Sequence, residues 1–201
     1  MMTFDVKKAD PKIVEKYWKW LCKIPRAQNP TLNNDGDKDV VANTNRNDEY
    51  FFLSFVLGGA SRRICKVPQG KKILIPSLSF LASEAERPKS SDGDLDNFAN
   101  TDYNNIEYRS IEVDGTPIVG NMDRFRVRTG PFEVDYDQNP IFNARPGKSN
   151  AVADGNYLVW EPSEKGQHII HFDGRIDLPE EGNSLESRDY VEDVTYTLIV
   201  E

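Results

Sequence analysis

A chain of 201 residues with 33 acidic and 25 basic side chains carries a net charge of −8, which argues against nucleic acid and anionic membrane surfaces as partners, since both recruit a basic face. Apolar residues at 38% and aromatic residues at 10% exclude a disordered chain and leave enough apolar surface for one sizeable core. No run approaches the ~20 apolar residues of a membrane helix, so no membrane insertion is expected.

The opening stretch, MMTFDVKKADPK, lacks the apolar segment of a signal peptide, so the chain as written reads as a cytoplasmic, soluble protein. Removal of a signal peptide would instead make it an exported one. Two cysteines, Cys22 and Cys65, are too few for a disulfide framework or a four-thiolate zinc site, and both are expected to be buried thiols.

The elements follow in chain order. Asp10 caps a helix whose first residue is Pro11, and Ile13, Val14, Tyr17, Trp18 and Leu21 recur at helical spacing. Pro25 ends it, which places the helix at about residues 10–24. The Asn-, Asp- and Pro-rich stretch from Arg26 to Asn47 reads as a long loop. EYFFLSFVL then reads as a central strand apolar on both faces, with Gly58-Gly59 as a tight turn after it. SRRICKV and KKILIPSLSF are the next strands, and Pro76 inside the second demands an edge or a bulge. IEYRSIEV is followed by Asp114-Gly115, a strong hairpin signal. NYLVW, HIIHF and VTYTLIV complete the set; in the last, Val194, Tyr196, Leu198 and Val200 share one face.

One hairpin is predicted in register. With Gly130-Pro131 at its tip, RFRVRTGPFEVDYD pairs Arg128 with Glu133, Arg126 with Asp135 and Arg124 with Asp137, while Val127 meets Val134 and Phe125 meets Tyr136. The alternative for this arginine stripe is an anion site; the matching carboxylates favour a charge ladder.

The pattern D-G-D-x-D-x-x-A-N-T occurs twice, from Asp35 and from Asp92. Calcium takes six to eight oxygens, and Asp35, Asp37 and Asp39 are candidate ligands from alternate positions of a loop. Neither copy is an EF-hand, because positions six and twelve hold Val40 and Arg46 in the first and Asn97 and Tyr103 in the second. The second copy runs into Leu95, Phe98 and Ala99 at helical spacing, so Ser91 or Asp92 is expected to cap a helix there and the first copy to remain a loop. Coincidence in an Asn- and Asp-rich chain is the default account of the repeat.

His168 and His171, three apart in a strand, point to opposite faces and do not share a metal. There is no G-x-S-x-G elbow, no Walker loop and no G-x-G-x-x-G, so no catalytic residue is assigned. Trp20, Tyr157 and Trp160 are the candidate ligand-stacking residues; core packing is the more common fate of such rings.

As a set, YWKWLCKIP, FFLSFVLGGASRRICKVPQGKKILIP, VDG, FRV, ADGNYLVW, GQHIIHF and VTYTLIV resemble an uncharacterised family of prokaryotic proteins, and the resemblance runs over nearly the whole chain. It implies one β-rich domain and an exported protein, and it transfers no catalytic residue. The family's early loop often holds a cysteine where this chain reads GDKDVV.

These readings converge on one domain over residues 1–201, mainly β: an antiparallel sandwich, immunoglobulin-like or jelly-roll-like, with an N-terminal helix packed on it. The expected function is a non-enzymatic binding or interaction module for a protein or carbohydrate ligand. The alternatives are a carbohydrate-active hydrolase working through two carboxylates and a structural or assembly subunit. No cofactor is required, with calcium the one ion to test.

Overall fold

The computed structural model describes residues 5–32, 37–44, 48–162, 164–177 and 190–201. Helix α1 (Pro11–Cys22) starts as its sequence dictates. The Asp10 carboxylate accepts from the Lys12 amide at 2.8 Å, and Pro11 fills a position where an N–H has no intrahelical partner. Val14, Tyr17, Trp18, Leu21 and Cys22 form its buried face.

The stretch expected to be a loop is substantially helical where described. It contains two short 3-10 turns, Arg26–Gln28 and Pro30–Leu32, and helix α2 (Asp37–Thr44). Asparagines that resemble loop chemistry serve as backbone partners. Asn43 exchanges two hydrogen bonds with Phe52, its Oδ1 accepting from the amide at 2.9 Å and its Nδ2 donating to the carbonyl at 3.0 Å. Asn43 thus docks α2 against strand β2 (Tyr50–Phe52). The first D-G-D-x-D copy therefore enters a helix at Asp37, which corrects the expected loop; Asp35 lies outside the described residues. The second copy behaves as predicted: Ser91 and Asp94 form a capping box on helix α3 (Asp92–Asn104).

Among the described residues, eleven strands form two sheets. In the first, β9 (Gly147–Trp160) pairs along one side with β4 (Lys72–Ser83), which pairs in turn with β2. Along its other side β9 carries three short strands end to end: β1 (Val6–Lys8), β7 (Arg126–Arg128) and β8 (Phe132–Tyr136). The second sheet runs β3 (Gly59–Val67), β11 (Tyr190–Val200), β10 (Gly166–Ile176), β5 (Ile106–Val113), β6 (Thr116–Pro117). Pairs β2–β4 and β3–β11 are parallel and the others antiparallel, so both sheets are mixed where the expected sandwich was antiparallel.

Three local readings of the sequence hold. Asp114 (φ 50) and Gly115 (φ 71) turn the β5–β6 hairpin. Pro76 precedes a bulge: the register passes from Ser77↔Asn156 to Ser79↔Gly155, leaving Leu78 unpaired at φ 44. In β11, Val194, Tyr196, Leu198 and Val200 are buried and the residues between them are half-buried.

Two readings do not hold. EYFFLSFVL pairs as a strand only over Tyr50–Phe52, because the backbone beyond it is claimed by side chains. Ser54 N–H donates to the Tyr196 hydroxyl, and the carbonyls of Ser54 and Val56 accept from Arg63 and Tyr190. Gly58 and Gly59, at φ 83 and 88, then carry the chain from the first sheet to the second instead of closing a hairpin. The hairpin at Gly130-Pro131 is also absent. β7 and β8 continue in one direction along β9, joined at Thr129, whose amide donates to the Ala153 carbonyl at 2.9 Å while its hydroxyl accepts from the Ala153 amide at 2.9 Å. Arg126 pairs with Asp154 rather than Asp135, and Glu133 with Lys148. The predicted alternation survives, with Phe125, Val127, Val134 and Tyr136 buried.

The inner faces of the two sheets and the apolar face of α1 share one core. Helix α3 covers the opposite face of the first sheet, where Leu95 and Ala99 pack against Ala82 and Val152. Among the described residues no helix is long and apolar enough to cross a membrane.

Candidate functional site

Between the two sheets, beside the bulge in β4, lies a cavity of about 350 Å³, a size at the lower end of small-molecule sites. Its wall is assembled from well-separated segments. Helix α1 contributes Trp18, and the tail of β2 contributes Phe55 and Leu57. The end of β4 contributes Ser79, Phe80 and Leu81, and the ends of β10 and β11 contribute Ile176 and Tyr190. Glu86 comes from the turn after β4, Asp102 from α3 and Phe142 from the segment between β8 and β9. Five of these eleven residues are aromatic.

Trp18, Phe55 and Tyr190 are held from behind. The Trp18 indole N–H donates to the Tyr157 hydroxyl at 2.7 Å, and its ring meets Phe55 and Phe142 at centroid distances of 5.8 and 6.4 Å. The Tyr190 hydroxyl donates to the Val56 carbonyl at 2.6 Å. The segment bearing Phe55 is pinned by Arg63, a fully buried guanidinium. Its Nε donates to Ser61 Oγ at 2.8 Å, Nη1 to the Ser54 carbonyl at 2.9 Å, and Nη2 to the carbonyls of Pro30 at 2.9 Å and Phe55 at 3.4 Å. Asp39 sits 3.5 Å from Nη1 and balances the charge.

Two backbone outliers border the cavity. Phe142 lines it at φ 57, and Leu78, one residue before Ser79, is at φ 44. A bulky residue in the left-handed region costs on the order of 1–3 kcal/mol and persists only where surrounding structure enforces it. Such strain concentrates at binding and switch sites.

Glu86 is the polar feature of the wall. Its Oε2 accepts from Ser83 Oγ at 2.9 Å and from the Tyr136 hydroxyl at 3.3 Å. Burial pushes its carboxyl above the ordinary range; the two hydroxyls and Arg87 pull it part of the way back, while Asp102 adds to the upward push. A half-buried carboxyl in a mainly apolar wall, with a raised pKa and one oxygen claimed, is chemically equipped to orient a ligand.

The residues singled out from the sequence lie elsewhere. Tyr157 and Trp160, at 0% and 3% exposure, present no ring to solvent, and Tyr157 acts instead as the hydrogen-bond partner that fixes Trp18. Trp20 is partly buried against Tyr17 and Phe52. Of the candidate calcium ligands, Asp37 is exposed in the first turn of α2, whereas Asp39 is buried and accepts from the Tyr196 hydroxyl at 2.6 Å. The described residues contain no group of three or more metal-ligating side chains. His168 and His171 point to opposite faces, toward Asp114 at 2.8 Å and Asp193 at 3.1 Å. Glu86, Asp102, Phe80 and Phe142 were not singled out, and no spacing marks them, because only the fold brings them together. Comparison with known protein families, curated proteins and solved structures finds no match.

Proposed function

We propose that the protein is a non-enzymatic binding module that takes a small, mainly apolar ligand into the cavity between α1, the end of β4 and the ends of β10 and β11. The observation that carries this reading is the aromatic wall itself, bordered by two residues at enforced positive φ and containing one half-buried carboxyl. The two face-to-face mixed sheets serve as the rigid frame; whether the sandwich is immunoglobulin-like or jelly-roll-like does not enter the proposal. The test is a fluorescence titration with N-phenyl-1-naphthylamine, a neutral apolar probe. Saturable binding is expected in the wild type and loss of it in Leu57→Trp, which places a larger ring at a wall position that is 38% exposed. No binding, or binding indifferent to Leu57→Trp, contradicts the proposal.

Two further readings each have one observation in their favour. Glu86 and Asp102 line the same cavity, as a hydrolase working through two carboxylates requires; release of nitrophenol from aryl glycosides, abolished by Glu86→Gln, would support it. On the open face of the second sheet, Ile64 and Ile169, 60% and 41% exposed, flank Thr197, as an assembly subunit would present; concentration-dependent association lost in Ile64→Lys would support that one.

A further inference from the structure

We infer that the ligand of this cavity is an organic cation: an ammonium group on an apolar body, with Glu86 as its counter-ion. The inference rests on the binding reading above and specifies its chemistry.

The first argument is the sign of the wall. The described lining residues include two carboxylates and no lysine, arginine or histidine, in a chain of net charge −8. An anionic ligand meets like charge there, and a neutral apolar one further desolvates a carboxylate that only two hydroxyls and Arg87 offset. The second argument is the wall's aromatic character. Five aromatic residues line it, of which Phe80, Phe142 and Tyr190 are the more accessible, and aromatic quadrupoles attract cations and favour ammonium groups most when water is excluded. The third is the hydrogen bonding of Glu86. Ser83 and Tyr136 both donate to Oε2, which fixes the carboxylate plane and leaves Oε1 outside these two bonds for a ligand N–H.

The charged and titratable groups around Glu86 are Arg87 beside it, Asp102 from α3, Tyr136 from β8 and Cys22 from α1. The Arg87 guanidinium lies 4.0 Å over the Phe98 ring, drawn toward α3. The raised pKa of Glu86 is consistent with a carboxylate in need of a counter-charge that its own fold supplies only in part.

The experiment is isothermal titration calorimetry with three probes of one shape: 2-phenylethylammonium, neutral 2-phenylethanol and anionic 3-phenylpropanoate, each against wild type and Glu86→Gln. The expected result is wild-type affinity for the cation ~10-fold or more above that for the alcohol, and a loss of most of that margin in Glu86→Gln. Equal wild-type affinity for cation and alcohol, or preference for the anion, overturns the cation inference while leaving the cavity reading intact. Absence of binding by all three overturns both. The wild-type comparison stands without the variant, so a failure of Glu86→Gln to fold does not rescue the inference.

Discussion

The amide of Leu78 donates to Oε1 of Glu192 at 3.1 Å, linking the β4 bulge in the first sheet to a carboxyl buried in the second. Glu192 is 0% exposed, and among the described residues its Oε2 has no hydrogen-bond partner. Burial pushes its pKa from 4.5 to about 8, against partial opposition from the Leu78 amide and Arg63. Because the folded-state pKa lies above the unfolded one, the folded state holds this proton more tightly. Its contribution is fully present below about pH 4.5 and is lost as pH rises through about 8. Wild type should therefore lose stability relative to Glu192→Gln between pH 5 and pH 9, by on the order of a few kcal/mol. Denaturant unfolding of both proteins across that range measures it; parallel pH profiles would contradict the assignment.

The same bulge sends the Leu78 side chain across the interior to the space left by Gly174. A Cβ at Gly174 would sit 2.6 Å from Leu78 Cδ1 and 2.9 Å from the Tyr108 carbonyl oxygen. Gly174→Ala is expected to cost roughly 1–3 kcal/mol, and less in a Leu78→Ala background, because one of the two clashes is with a removable side chain. At Gly155 the corresponding Cβ meets Ser79 Cα at 2.6 Å, a backbone atom, so Gly155→Ala should be at least as damaging and unrelieved by Leu78→Ala. A double-mutant cycle on urea midpoints separates the two cases, and additivity at Gly174 would contradict this packing.

Arg63 has five donor contacts and a buried counter-ion, so its removal takes the nearby positive charge from Asp39 and a donor from several carbonyls. Arg63→Ala should cost ~3–5 kcal/mol, and Arg63→Lys should recover little, because an ammonium cannot reproduce the planar fork. Thermal unfolding checks both; a lysine variant with wild-type stability would show that charge alone suffices.

His168 has acceptors on both ring nitrogens: Asp114 Oδ2 at 2.8 Å from Nδ1 and the Glu164 carbonyl at 3.1 Å from Nε2. Burial alone lowers its pKa, but these two acceptors outweigh burial and raise it. The raised value means that protonated His168 stabilises the fold below its unfolded pKa of ~6.5, and that this contribution fades as pH rises through the folded value. An NMR titration should find His168 titrating above the ordinary histidine value of ~6.5 in wild type and markedly lower in Asp114→Asn. An unshifted His168 in that variant would contradict the coupling.

Local chemistry was legible in the sequence and long-range partners were not. The Asp10 cap, the Pro76 bulge, the Asp114-Gly115 turn and the two-residue alternation of β11 each depend on a few neighbouring residues, and each appears as read. The charge ladder of Arg126 and Asp135 failed because local complementarity had a competitor more distant in sequence. β9 offers Asp154 to Arg126 and Lys148 to Glu133, so β7 and β8 satisfy the same pattern without folding back. Asn43 was read as loop chemistry because its partner, Phe52, is contributed by a strand. The cavity was illegible for the same reason: Trp18, Glu86, Phe142 and Tyr190 belong to four separate segments, and none carries a motif.

The account depends most on the cavity being a binding site, and its occupancy is directly observable in a ¹H–¹⁵N correlation spectrum titrated with N-phenyl-1-naphthylamine. The account predicts saturable shifts of the Trp18 indole N–H and of the amides of Ser79, Phe80, Phe142 and Tyr190, which line the cavity from four segments of the chain. Shifts confined to the open face of the second sheet around Ile64 and Ile169, or no shifts at saturating probe, would contradict it.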